Sequence, residues 1–248
     1  MKFEETPHNG WNSHDRADTT TLLREMPWSE VALTEAEERG DSHSASAVDT
    51  PLRADAFAMS EEEKMLRIAG HFREIMHTLG LDLSDDSLRG TPLRVAKMYV
   101  QEFFSGLDPA NKPAVSLFEN KFGYHQMLVE RNITLQSHCE HHFVPITGRA
   151  HVAYIPKGKV IGLSKLNRIV RHFARRPQVQ ERLNMQIFQD LQEILGTPDV
   201  AVVIDAVHHC VCSRGIEDQH SSTVTVQYGG KFLETKTREE FLRHIQGG

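Results

Sequence analysis

Six consecutive residues, Ser137-His138-Cys139-Glu140-His141-His142, carry three imidazoles and one thiol able to bind a transition metal, and His208-His209-Cys210-Val211-Cys212 forms a second such group. Cys139 and His142 are three apart, so a helical turn or tight bend brings both to one side and turns His141 elsewhere. Read as a strand, the second group places His208, Cys210 and Cys212 on one face and His209 opposite. One thiolate and one imidazole from the first group and one thiolate from the second give the set Cys139, His142 and Cys210. Two sulfurs, one imidazole and a vacant fourth position are the pattern of a catalytic zinc, whereas completion by His141 or Cys212 would close a structural site. Sulfur and nitrogen donors favour zinc over magnesium or calcium. With 15 histidines in 248 residues, a chance cluster without metal is a third reading. Spacing alone leaves all three open.

A second chemistry is anion binding. Gly162-Leu163-Ser164-Lys165 precedes an apolar helical pattern, Ser164 reads as its cap, and free N–H groups at a helix start attract anions. Lys165 and Arg168 share a face away from Leu166, Ile169 and Phe173, so a phosphate contact competes with an ordinary solvated basic face. Arg94, Lys97 and Arg214 extend the basic patch if folding or assembly converges them. Gln180-Glu181 opens the next helix. A carboxylate accepts two N–H bonds of a guanine edge, although glutamate in a first turn also simply suits the helix dipole.

The elements that position these groups follow from periodicity. Ser60 and Glu63 form a capping box, after which Leu66, Ala69, Phe72, Met76 and Leu79 line one face until Gly80. A second helix opens at Thr91-Pro92, with Thr91 read as the cap. Strands are predicted over Leu128–Gln136 and Ile146–Ile155, the latter setting Ala150, Val152 and Tyr154 against His151 and Ala153. Two helices follow, marked by Leu166–Phe173 and by Val179–Ile194, the second stopped by Gly196 and Pro198. Strands over Val200–Cys212 and Ser222–Tyr228 and a helix from Thr237 complete the order. Paired strands alternating with paired helices predict an α+β fold with an antiparallel sheet.

Composition bounds the rest. Residues 1–60 hold 12 acidic and 5 basic side chains, and the remaining 188 hold 22 and 23. The acidity belongs to the front, so residues 1–58 are expected to be a mostly disordered extension, 59–127 an N-terminal helical region and 128–248 the catalytic domain. A near-neutral core argues against a nucleic-acid surface. Three cysteines, few and odd in number, suit a reducing compartment. No apolar run is long enough to span a membrane and Met1–Gly10 lacks a signal pattern, so a cytoplasmic location is expected.

Taken together, these residues resemble the GTP cyclohydrolase I family. The matching stretches are CEHH at Cys139–His142, IGLSKLNRIV at Ile161–Val170, RRPQVQERL at Arg175–Leu183 and HHCVCSRG at His208–Gly215. TPLRVAKMY at Thr91–Tyr99 and TREEFL at Thr237–Leu242 also fit. The resemblance implies a tunnelling fold (T-fold), in which protomers pool antiparallel sheets into rings that stack as a homodecamer with active sites between subunits. It implies Zn2+ on Cys139, His142 and Cys210, and His141 and His208 as catalytic groups beside the reacting ring. Ser164, Lys165, Arg168 and Arg214 would contact ribose and triphosphate, with Lys97 reaching a neighbour's substrate, and Gln180 and Glu181 would contact guanine. The implied reaction converts GTP and water to formate and 7,8-dihydroneopterin triphosphate, the first step of folate and tetrahydropterin biosynthesis. Cys212 departs from the pattern and is not assigned to the metal. Relatives on the same fold are the nearest rivals: a pterin synthase uses an all-histidine metal site and a deazaguanine reductase a nucleophilic cysteine without metal. A zinc-stabilised binding module would fill all four zinc positions with protein donors.

Overall fold

A computed structural model describes residues 47–246; the disordered extension expected at the front of the chain lies outside the described residues as far as residue 46. Helix α1, Glu61–Thr78, begins with the expected box: the Ser60 hydroxyl accepts from the Glu63 N–H at 3.2 Å, and the Glu63 carboxylate accepts from the Ser60 N–H at 3.2 Å. Gly80, at φ 81°, ends it. Its apolar face is not buried as the periodicity suggested. Met76 is covered, but Leu66 and Leu79 are 63% and 71% exposed, because within this chain α1 leans mainly on α2 and the turn after it.

Helix α2, Thr91–Lys97, has Gly90 as its cap in place of Thr91, with Pro92 in the first turn. It runs on into a π-helical segment, Met98–Phe103. That segment and Phe104 bring Tyr99, Phe103 and Phe104 together: Phe103 stacks on His138 at 3.9 Å, and Phe104 meets Phe143 edge-on at 5.1 Å. Both partners flank the Cys139–His142 turn. The N-terminal helical region is thereby pinned to the sequence that carries the chemistry.

The main sheet has the order β5-β2-β3-β6-β7, with β2 Leu128–Cys139, β3 Pro145–Tyr154, β5 Pro177–Gln178, β6 Val200–His208 and β7 Thr223–Tyr228. Strands β2, β3, β6 and β7 are antiparallel neighbours, and the two-residue β5 adds a short parallel edge beside His138 and Cys139. A small ribbon pairs β1, Leu117–Glu119, with β4, Lys159–Ile161. At Gly148 the strands approach so closely that a Cβ would sit 2.1 Å from the Asp205 carbonyl oxygen.

Alternation along β3 places Ala150, Val152 and Tyr154 in one core and Ala153 in another. The first core lies under helices α3, Leu163–Ala174, and α4, Gln180–Leu195. Leu166, Ile169, Val170, Leu183, Ile187 and Leu191 are almost wholly buried there, each worth about 1.5–3 kcal/mol by transfer. The second is capped by Phe232 and by Phe241 of α6, Thr235–Gln246, which starts two residues before the expected Thr237. Gly196, left-handed at φ 62°, closes α4. This is an α+β architecture with a curled sheet flanked by paired helices, as a T-fold requires. Among the described residues no helix is long and apolar enough to cross a membrane.

Candidate metal centre

Strand β2 stops at Cys139 because the chain reverses there. The Cys139 N–H donates to the Val144 carbonyl and the Phe143 N–H to the Cys139 carbonyl, both at 2.9 Å, with Phe143 left-handed at φ 55°. This tight bend is what a C-x-x-H pair needs to turn both donors one way. Strand β6 ends earlier than expected, at His208, and His209–Cys212 form a short helical turn, α5. Two residues apart on a helix diverge by about 200°, so Cys212 does not follow Cys210 as it would in a strand. His209 is held away from the centre by Thr147, whose hydroxyl lies 3.2 Å from its Nε2.

The donor atoms of Cys139, His142 and Cys210 lie within 4.8 Å of one another, the one such metal-binding group among the described residues. They fit an ion by their chemistry. Nδ1 of His142 is buried with no hydrogen-bond partner, while its Nε2 sits 2.9 Å from an Arg214 nitrogen. The Cys210 thiol is pushed up to about 11, first by burial and then by the neighbouring Cys139 sulfur. Two sulfurs and an imidazole nitrogen without a partner form a donor set suited to a cation, and a coordinating metal deprotonates a thiol outright.

Comparison with known proteins bears on the identity of this centre. The sequence profile of GTP cyclohydrolase I matches residues 68–246. A GTP cyclohydrolase 1 of Flavobacterium johnsoniae is 60% identical over 210 residues, covering 85% of this chain and 94% of the relative. The corresponding proteins of Citrobacter koseri and Escherichia coli O1:K1 are 57% and 58% identical over 203 residues, each covering 82% of this chain and 91% of the relative. The chain belongs to the GTP cyclohydrolase I family.

Around the three donors of this family member, two histidines are differently held. His208 Nε2 lies 2.8 Å from the Gln180 side-chain oxygen, and the Gln180 amide nitrogen donates to the carbonyls of Ile204 and Thr223 and to the Thr225 hydroxyl. With the amide nitrogen so committed, the Gln180 oxygen must be the acceptor, so His208 carries its proton on Nε2 and keeps Nδ1 as a base. Burial lowers the His208 pKa, and the Glu181 carboxylate opposes that shift. His141 is more open, with Nδ1 3.8 Å from the Cys139 sulfur and Nε2 3.9 Å from Glu140.

Of the remaining candidates, Glu181 lies close enough to His208 to push its pKa upward against the effect of burial. Helix α3 is capped by Gly162 with no side-chain bond, so Ser164 is an exposed first-turn residue and not the cap. Arg168 lines a cleft of about 470 Å³ with Arg171, His172 and Arg175. Lys97 is exposed at the end of α2, and Glu181 is exposed between two buried neighbours. Within one chain the fold gathers the metal donors, His141, His208, Gln180 and Arg214, with Glu181 near His208. Periodicity gave no sign of one further pair: Arg182, 5% exposed on α4, holds Glu140 of the ligand turn through two N–H groups. A charge placed beside inward-facing Leu183 reads as surface in any hydropathy pattern.

Proposed function

We propose that the chain is a zinc-dependent GTP cyclohydrolase I that converts GTP and water to formate and 7,8-dihydroneopterin triphosphate. The convergence of Cys139, His142 and Cys210 in a chain so similar to enzymes of that name carries this reading. Zinc held by Cys139, His142 and Cys210 would supply the Lewis-acid activation of water that hydrolysis needs near neutral pH. The protein's own groups do the rest. His208, its tautomer set by Gln180, and His141 together move protons at the imidazole ring of guanine and at the departing formyl group. Both can work in either direction near pH 7.

Glu181 selects guanine, because adenine has no paired N1–H and N2 donors to offer a carboxylate. With a base seated over it and water excluded, a carboxylate left unpaired would cost about 1–3 kcal/mol. If Nδ1 of His142 is a metal donor, its Nε2 would carry the proton, and Arg214, a pure donor, would turn to another acceptor such as a triphosphate oxygen. Ser164, Lys165, Arg168 and Lys97 complete the anion site across subunit contacts in a decamer. The exposed apolar residues Leu66, Leu79, Phe122 and Val224 support such assembly. The test is to incubate the protein with GTP or ATP and measure formate and, after oxidation, a fluorescent pterin. Both products are expected from GTP and neither from ATP; no formate from GTP with zinc bound would refute the reading.

A further inference from the structure

The charged pair beside the metal turn performs a task that stability alone does not explain. Arg182 Nη1 donates to one oxygen of Glu140 and Nη2 to the other at 3.2 Å, a two-pronged contact between side chains 4% and 18% exposed. The third guanidinium edge, Nε, donates to the Ala47 carbonyl at 3.3 Å. Burying such a pair costs desolvation that packed apolar side chains would not incur, so retention of charge here calls for a positional reason. A two-pronged contact fixes the plane of the carboxylate as well as its distance.

The location supplies that reason. Glu140 stands between Cys139 and His142 in the ligand turn, and its N–H donates to the Gln178 carbonyl at 3.0 Å. Arg182 stands in the first turn of α4, directly after Gln180 and Glu181. Three consecutive residues of that turn therefore go to three places. Gln180 orients His208, Glu181 is left open for the guanine edge, and Arg182 grips the metal turn. Moving the turn relative to α4 would change the distance between the metal donors and the group that holds the far side of the base.

We propose that Arg182 and Glu140 are positioning residues that lock the Cys139–His142 turn onto α4, setting both the metal geometry and the span from metal to base-reading carboxylate. The second half of the claim rests on the GTP cyclohydrolase reading; the first does not. The lock acts as a unit, so breaking either partner releases the turn.

The experiment compares wild type with Glu140→Gln, Arg182→Lys, Arg182→Met and the Glu140→Gln/Arg182→Met double variant, all as full chains. Cobalt-substituted protein reports the metal geometry through its sulfur-to-cobalt and d–d absorption bands, chelator competition gives zinc affinity, and thermal unfolding of metal-free protein reports the fold. Zinc affinity is expected to fall by about 10- to 100-fold in each single variant, with shifted cobalt bands and metal-free unfolding close to wild type. The double variant should lose no more than the worse single one. With GTP, kcat should fall much more than KM rises. Unchanged cobalt bands and zinc affinity in Arg182→Lys and Glu140→Gln would overturn the proposal, as would losses that simply follow lowered unfolding temperatures. If Arg182→Met does not fold, Arg182→Lys, which keeps the charge but loses the two-pronged grip, decides the matter. Wild type that binds cobalt but releases no formate from GTP would sink the proposed function and leave the metal half of this test intact.

Discussion

Two neighbouring sulfurs out of contact with bulk water cannot both ionise cheaply, and the Cys210 thiol is pushed up to about 11 by burial and by Cys139. Cys210→Ser removes one sulfur and is expected to abolish zinc retention and formate release, measured by metal analysis alongside the GTP assay; retained turnover in the metal-stripped variant would reject the role of zinc. His208 is different, because the proposed mechanism gives it proton transfer and no place on the metal. His208→Ala should keep stoichiometric zinc and lose at least about 100-fold in kcat, the usual size of a general acid–base contribution. Gln180→Ala should lower kcat as well, by letting the His208 proton move between ring nitrogens, while zinc content stays unchanged. At this scale residue types and spacing made the three donors legible, since a bend and a second strand end allow few other combinations. They could not show that Gln180 faces His208, because a helical residue's partner depends on which strands lie beneath it.

Elements carry the next layer. The Ser60 box, the Gly196 stop and the alternation of Ala150, Val152 and Tyr154 were readable because each rests on neighbours within a few residues. The end of β6 was not. A run of Val, His and Cys continues the strand pattern through Cys212, yet the chain turns helical after His208, which is why Cys210 reaches the centre and Cys212 does not. The burial of α1 also escaped prediction, since an apolar stripe does not say whether its partner is in the same chain. Helix α3 offers a titration test. His172, buried beside Arg176 and Lys112, is depressed to about 4 from its usual 6.5, with burial the largest cause. Between those values the unfolded chain binds the extra proton and the folded chain does not, so stability falls as the pH drops from about 6.5 to 4 and the loss levels off below that. The full effect is about 3 kcal/mol. Denaturation at pH 7, 6, 5 and 4.5 should show this slope in wild type and a flatter one in His172→Gln; equal slopes would remove His172 from the explanation.

For the whole molecule, the first described residues matter more than their composition suggests. The carbonyls of Ala47 and Val48 accept from Arg182 and from Gln186 of α4, the latter at 2.7 Å. Deleting residues 1–46 is expected to leave zinc content and turnover near wild type, whereas deleting 1–58 strips two buried side chains of their acceptors and should cost about 1–3 kcal/mol in stability. Equal denaturation midpoints for the two truncations would show those contacts to be idle. The proposed chemistry requires the Cys139, His142 and Cys210 group to hold its metal with three protein donors and a fourth position open to water. Zinc K-edge absorption on wild type, His141→Ala and Cys212→Ser tests that most directly. Two sulfurs and two lighter donors are expected in all three proteins, unchanged by either substitution. Loss of a sulfur in Cys212→Ser, or of a nitrogen in His141→Ala, would mean a closed four-donor site and would contradict the proposed chemistry.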